Sequence, residues 1–188
     1  MKQSRILILV LFCISISGRL DAQELYFTKE GKISFLSETR LERIYAEAAD
    51  AHSFLNIKTG EVAFSVNISS FQFRIKLMQE HFNENFMESS TYPRATFTGF
   101  IENIEKFDFN STSAQSFNVN GKMTIRGVAQ EITTPVRLQV KGNTLFSGDA
   151  EFRLKPEDYK VKIPSVVGRK IAKEIVVTVR SDYQPYIP

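Results

Sequence analysis

Hydrophobic and polar residues alternate with a period of two over most of the chain. Between Glu61 and Ile68, for example, Val62, Phe64 and Val66 share one face and polar or small residues share the other. This alternation is typical of strands that bury one face and expose the other, as in antiparallel sandwiches and barrels. Turn-forming residues separate the runs, and the chain contains no internal repeat or linker. We predict strands at residues 31–38, 61–68, 95–101, 118–125, 131–140, 146–154 and 175–179.

One segment has helical spacing instead. Its apolar residues recur at intervals of three or four and lie on one helical face: Ile75, Met78, Phe82 and Phe86. The dipeptide Tyr92-Pro93 follows, and a residue before proline favours extended backbone. We therefore predict one amphipathic helix near residues 75–87, packed on the end or flank of an all-β body.

The first 22 residues have the three parts of a secretory signal peptide. Lys2 and Arg5 precede an apolar run at residues 6–16, and small and polar residues lead to Ala22. The run is far shorter than the roughly 20 residues that span a bilayer. We expect residues 1–22 to be removed and the protein to be periplasmic or otherwise exported, with residues 23–188 forming a single domain.

Loss of this leader changes the composition. The only cysteine, Cys13, lies in it, so the remaining chain has no thiol for a disulfide, a nucleophile or a metal site. The formal charge of +3 falls to +1, because three basic residues and one acidic residue leave with the leader. A nearly neutral chain gives no reason to expect nucleic acid as a partner.

Two motifs resemble the YceI-like family when they occur together in this order. The first runs from His81 to Gly99 and contains Phe-Met-Glu-Ser before Tyr-Pro and Ala-Thr-Phe. The second is Val-Asn-Gly-Lys-Met-Thr-Ile-Arg-Gly-Val at residues 119–128, followed by Pro135-Val136. The segment 152–159 and the last strand give a looser match. The resemblance covers residues 31–183, although the family often has histidine at the position of Arg126.

This resemblance implies an extended antiparallel barrel of about eight strands, lipocalin-like, with a helix packed on it. It also implies that the partner is an apolar lipid, such as a polyisoprenoid or a prenyl quinone, held in the barrel interior.

An eight-stranded barrel can either be filled by its own side chains or hold one small ligand. The inward faces predicted from the alternation, together with the helix aromatics, provide the candidate ligand-binding residues of the lining or mouth. These are Phe64, Val66, Phe82, Phe86, Phe97, Ile125, Val136, Leu138, Gly148 and Phe152. The same residues would equally fill a closed core.

Catalytic motifs are missing from the sequence. It has two histidines, His52 and His81, and neither a G-x-S-x-G elbow nor a phosphate-binding glycine loop. His81 lies one helical turn from Glu84, but a zinc site would need ligands from elsewhere. We therefore assign no catalytic residue, no metal and no cofactor.

A basic stretch near the end of the chain leaves contact with a membrane surface open, without integral insertion. Its residues are Lys160, Lys162, Arg169, Lys170 and Lys173.

Three interpretations of the function remain: a non-enzymatic exported binder of a long apolar lipid, which we favour; a filled-barrel structural or interaction module of the cell envelope; and an enzyme, whose residues are lacking. The oligomeric state is not predicted.

Overall fold

The protein was analysed as a computed structural model that describes residues 24–142 and 145–187. The predicted signal peptide lies outside the described residues.

Within the described residues the main elements are nine strands and one short α-helix, besides short 3-10 and π-helical turns. The strands are β1 (Leu25–Glu38), β2 (Arg43–Asn56), β3 (Glu61–Asn67), β4 (Gln72–Phe73), β5 (Arg94–Ile101), β6 (Gln115–Ile125), β7 (Val128–Lys141), β8 (Leu145–Leu154) and β9 (Ile175–Pro185). The helix α1 spans Lys76–His81 and continues into a π-helical turn at Phe82–Phe86.

The sheet closes into an antiparallel barrel of eight strands. Neighbours follow the order β1-β9-β8-β7-β6-β5-β3-β2, and β2 pairs again with β1. The ninth strand, β4, pairs only with Ala46 and Glu47 of β2. The predicted all-β barrel with a packed helix is therefore confirmed, and each predicted strand lies within or overlaps an observed one.

The hydrophobic pattern predicts no element at residues 43–56, yet this segment forms the long strand β2. Large apolar residues lie inward near its ends, at Ile44 and Leu55, whereas the positions between them include the fully buried Ala46, Ala48 and Ala51. Alanine is a poor β-former, so the usual alternation signal is weak here. The small side chains leave room for the aromatic rings that pack against them, including Phe71 and Phe82.

The observed α-helix is shorter than the predicted one. The α-helix ends at His81, and the Met87 amide then donates to the Phe82 carbonyl oxygen at 2.8 Å, which is the i to i+5 bond of a π-helical turn. Ile75 has extended backbone, lies outside the helix and is 43% exposed. The turn keeps Phe82 and Phe86 half-buried against the barrel.

The two ends of the barrel differ in their packing. At the end where β1 begins and β5 ends, a core of large side chains fills the interior, among them Tyr26, Phe107, Phe146 and Tyr183. At the other end lie α1, the β1–β2 turn and the long connection between β8 and β9. We call these the filled end and the open end.

Two facing glycines make room for a ring inside the filled half. Gly99 of β5 pairs with Gly121 of β6, and a Cβ at either position would lie within 2.8 Å of Phe97 Cζ. The Phe97 ring therefore lies against bare backbone, an approach that only glycine permits.

Candidate functional site

A cavity of about 530 Å³ runs inside the barrel from the open end toward the filled end. This volume falls in the range of about 300–1,000 Å³ that is usual for small-molecule sites. Its lining comes from the inward positions of strands β1 to β9, from α1 and from the β8–β9 connection, and is almost wholly apolar. Such a cavity suits an apolar ligand of considerable length.

The structure places all ten candidate residues on the wall of this cavity. Strand positions provide Phe64, Val66, Phe97, Ile125, Val136, Leu138, Gly148 and Phe152, and the helical segment provides Phe82 and Phe86. Because paired residues on adjacent strands face the same side of the sheet, the alternation alone brings these distant positions together.

Gly148 is more confined than its place in the sequence suggests. A Cβ atom there would lie 3.2 Å from Tyr183 Cε2 and 3.3 Å from Leu138 Cδ2. A large residue at position 148 would therefore overpack the wall as well as block the cavity. Ala150, one inward position further along β8, already has a Cβ atom and also lines the cavity.

A cluster of four phenylalanines forms the wall beside the helix. The Phe82 ring centroid lies 5.3 Å from that of Phe35, 5.8 Å from Phe71 and 5.1 Å from Phe73. The residues Phe35, Phe71 and Phe73 were not among the candidates. The alternation of Ile33 and Phe35 in the predicted strand at residues 31–38 could have identified Phe35 as a lining residue, whereas β4 is too short to give a periodic signal.

The β8–β9 connection also contributes unpredicted lining residues, namely Tyr159, Val161, Ile163, Val167 and Ile171. Lys160 and Lys162 alternate here with Tyr159, Val161 and Ile163, but the basic residues indicated a solvated strand face and loop. The basic side chains are indeed exposed, while the apolar ones turn toward the cavity. The Ala172 amide donates to Ser37 Oγ at 2.9 Å, which attaches the connection to the end of β1.

Buried hydroxyl groups lie at the deep end of the cavity. The hydroxyls of Tyr183 and Ser53 form a hydrogen bond of 2.7 Å, and the Tyr183 ring stacks on Phe146 with centroids 5.0 Å apart. Burial raises the pKa of Tyr183, because the charged phenolate would be desolvated there. Tyr183 is therefore neutral at physiological pH.

Three ionisable side chains of the lining lie at the mouth. His81, Glu42 and Lys170 line the cavity there, and His81 and Lys170 are exposed. Nearer the interior, burial raises the pKa of Tyr159, and the neighbouring Asp158 adds to this. No ion pair within the described residues involves His81, Glu42 or Lys170.

An arginine outside the cavity connects three segments of the open end. The Arg126 guanidinium donates to the Glu88 carboxylate and to the Lys160 carbonyl oxygen, and lies 5.7 Å from the centroid of the Tyr92 ring. We call this group the Arg126 clasp. Arg126, Glu88 and Lys160 all have positive φ, of 52°, 48° and 56°, which is uncommon for residues other than glycine. The clasp holds the helical segment, the β6–β7 turn and the β8–β9 connection in register.

The described residues offer neither a metal-binding cluster nor a helix that could span a membrane. Within residues 24–142 and 145–187, no group of three or more His, Cys, Asp or Glu side chains is arranged to hold a metal ion. Over the same residues, the helical segments are too short and too polar for any of them to cross a bilayer.

Comparison with known proteins places this barrel in a family. A family model described as the YceI-like domain matches residues 24–182. A solved polyisoprenoid binding domain from Saccharophagus degradans, implicated in plant cell wall breakdown, is 15% identical with a TM-score of 0.76, covering 87% of this chain and 99% of that chain. No curated protein matches the chain.

Two further structures have the same fold. BcnA from Burkholderia cenocepacia is 19% identical with a TM-score of 0.67, covering 81% of this chain and 95% of that chain. A YceI protein from Campylobacter jejuni is 16% identical with a TM-score of 0.56, covering 71% and 78%. Because the family model spans most of the sequence, the chain belongs to the YceI-like family.

Proposed function

We propose that the protein binds one long apolar lipid, of the polyisoprenoid or prenyl quinone type, inside its barrel. The observation that carries the proposal is the cavity of about 530 Å³ with an almost wholly apolar wall. The similarity to a polyisoprenoid binding domain supports the same ligand class. In this proposal the ten candidate residues contact the lipid, and the protein acts as a carrier or sensor rather than as an enzyme.

The energetics agree with an apolar chain as ligand. Each buried methylene contributes about 0.8 kcal/mol, so a fully buried five-carbon isoprene unit contributes about 4 kcal/mol. Association costs about 4–15 kcal/mol in lost freedom, so about four buried units exceed the largest of these costs. No charged group is needed, which fits a lining that is almost wholly apolar.

The leader suggests where binding takes place. A basic start, a short apolar run and a small-residue site are the parts of a secretory signal, so we propose that the protein is exported before it acts. In the same proposal, the mature protein has no cysteine.

The alternative is a barrel that serves as an interaction module without a ligand. The filled end favours this alternative, because Tyr26, Phe107, Phe146 and Tyr183 occupy its interior. The remaining cavity counts against it, since packed interiors have few voids larger than a water molecule. A lipid binder with one filled end accounts for both features.

Organic extraction of the purified protein, followed by mass spectrometry, tests the proposal. The wild-type protein should release a polyisoprenoid lipid. The Ala150→Phe variant places a ring inside the cavity and should carry much less of it. The matched control is Ala129→Phe, which adds the same ring at an exposed position of β7 and should carry as much lipid as the wild type. A wild-type protein that is lipid-free and takes up no added prenyl quinone would refute the binding proposal.

A further inference from the structure

We propose that the open end of the barrel is a docking surface for a membrane rich in anionic phospholipid. The surface consists of the β1–β2 turn, the start of the helical segment and the β8–β9 connection, which we call the rim. This inference rests on the proposed function, because a lipid that enters the cavity must come from, or go to, a membrane.

Three separate segments present exposed apolar side chains at this rim. Leu41 of the β1–β2 turn is 60% exposed, Leu77 of α1 is 57% exposed and Val166 of the β8–β9 connection is 90% exposed. Single exposed apolar residues are common. Here, however, they come from three segments that surround one cavity entrance: Leu77 lines the mouth, and Glu42 and Val167, the neighbours of Leu41 and Val166, do so too.

The rim is held in shape by hydrogen bonds rather than by burial of these side chains. Thr39 Oγ1 accepts hydrogen bonds from the amides of Leu41 and Glu42, at 3.2 and 3.1 Å, which fixes the turn with Leu41 at its tip. Ser37 Oγ joins this turn to the β8–β9 connection through the Ala172 amide. The Arg126 clasp ties the helical segment to the same connection through Glu88 and Lys160, so the three segments form one surface.

Basic residues surround the apolar tips. Between residues 155 and 174, six basic residues (Lys155, Lys160, Lys162, Arg169, Lys170 and Lys173) stand against three acidic ones (Glu157, Asp158 and Glu174), a net charge of +3. All six are exposed, and none of their side chains forms an ion pair with a described residue. On the neighbouring segments, at residues 38–43 and 74–80, four basic residues stand against three acidic ones and add a net charge of +1.

The opposite end has the opposite charge. The connection between β5 and β6, at residues 102–114, carries Glu102, Glu105 and Asp108 against Lys106 alone. The field of the protein would therefore turn the open end toward an anionic surface.

A bilayer fits these features better than a protein partner does. Apolar side chains ringed by cations match a hydrocarbon interior beneath anionic head groups. Each Lys or Arg near such a surface strengthens partitioning about fivefold, and the effect falls off within a Debye length. Docking in this orientation would also let an apolar chain pass between the cavity and the bilayer without crossing water.

Vesicle sedimentation tests the docking surface with the purified protein. The probes are vesicles of phosphatidylcholine alone and vesicles of phosphatidylcholine and phosphatidylglycerol in equal parts. The wild type should sediment with the anionic vesicles at least about tenfold more strongly than with the neutral ones. Raising the ionic strength from about 0.1 M to about 1 M shortens the Debye length from about 10 Å to about 3 Å and should release most of the protein.

Two rim variants and two controls locate the surface. The charge variant is Lys162→Glu/Arg169→Glu/Lys173→Glu and the apolar variant is Leu41→Ser/Val166→Ser; none of these five residues lines the cavity. Their controls at the filled end are Lys106→Glu and Phe100→Ser, the latter at a residue 57% exposed. Both rim variants should lose at least about tenfold in binding, and both controls should stay within about twofold of the wild type.

Equal binding to neutral and anionic vesicles, no binding at all, or rim variants that bind like the wild type would overturn the docking surface. Lipid extraction from the same preparations reports separately on the proposed function. Rim variants that carry lipid but no longer sediment would support the docking surface. Vesicle binding by a wild type that is lipid-free and takes up no added prenyl quinone would support the docking surface while refuting the proposed function.

Discussion

Phe82 gives the clearest test of whether the helical segment supports a cavity wall or fills a core. Its ring packs against Phe35, Phe71 and Phe73, with centroids 5.1–5.8 Å away, yet it also faces the cavity. Replacing a fully buried phenylalanine with alanine lowers the free energy of unfolding by about 3–5 kcal/mol. Because the side chain is only half-buried and one face meets a cavity that exists already, we expect Phe82→Ala to cost about 2 kcal/mol.

Phe86→Ala is the matched control. This residue also belongs to the π-helical turn, lines the cavity and is half-buried, but its ring packs against no other described aromatic ring. We expect a cost of about 1 kcal/mol, from lost apolar burial alone. The difference of about 1 kcal/mol between the two variants is the contribution of the aromatic cluster.

Thermal unfolding of lipid-loaded and lipid-depleted protein measures both effects. For a chain of this size, 1 kcal/mol shifts Tm by about 2–4 °C, so Phe82→Ala should lower the Tm of depleted protein by about 4–8 °C. A bound ligand adds stability in proportion to the logarithm of its concentration over Kd. The Tm difference between loaded and depleted protein should therefore shrink in both variants.

Two results would contradict this reasoning. A loss near 5 kcal/mol that is identical in loaded and depleted protein would show that Phe82 belongs to a filled core. A Tm unchanged in both forms would show that Phe82 neither supports the wall nor contacts the lipid.

Four further predictions follow from particular residues. Arg126→Ala should lower the free energy of unfolding by about 1–2 kcal/mol, because it breaks the Arg126 clasp; the loss is no larger because Glu88 is partly exposed. A denaturant melt at wild-type stability would argue against the clasp. Gly99→Val should lower the free energy of unfolding by about 1–3 kcal/mol, since a Cβ there would clash with the Asn120 carbonyl oxygen and lie 2.8 Å from Phe97 Cζ, and the same melt measures it. Tyr183 has a raised folded-state pKa, so its contribution to stability is fully present below the ordinary tyrosine pKa of about 10 and is lost as pH rises above that value. Tyr183→Phe should therefore weaken the loss of stability at alkaline pH. A pH profile of stability identical to that of the wild type would refute the assignment. Intact-mass analysis of exported protein should show an N-terminus near Gln23 and no cysteine, and a retained leader would refute export by cleavage.

Period-two alternation predicted most of the barrel because its strands have one wet and one buried face. That pattern also placed Phe64, Phe97 and Phe152 on the cavity side, since paired strands share their inward face. The alternation could not distinguish a filled interior from a hollow one. Both kinds of interior need apolar inward residues. Which one forms depends on whether the summed volumes of the inward side chains fill the space inside the barrel.

The missing elements share a physical cause, which is that tertiary packing overrides local preference. β2 buries Ala46 and Ala48 beneath aromatic rings, and alanine gives no strand signal by itself. The β8–β9 connection turns Ile163 and Val167 inward although it forms neither strand nor helix there, and contacts from distant residues hold it. The π-helical turn at Phe82–Phe86 likewise depends on how its rings meet the wall rather than on helix propensity.

Native mass spectrometry of the protein purified without detergent tests the central claim most directly. The account predicts a species heavier than the polypeptide by the mass of one polyisoprenoid lipid. This species should be lost on organic extraction, restored by added prenyl quinone and depleted in Ala150→Phe but not in Ala129→Phe. A single species at the mass of the bare polypeptide, before and after incubation with prenyl quinone, would contradict it.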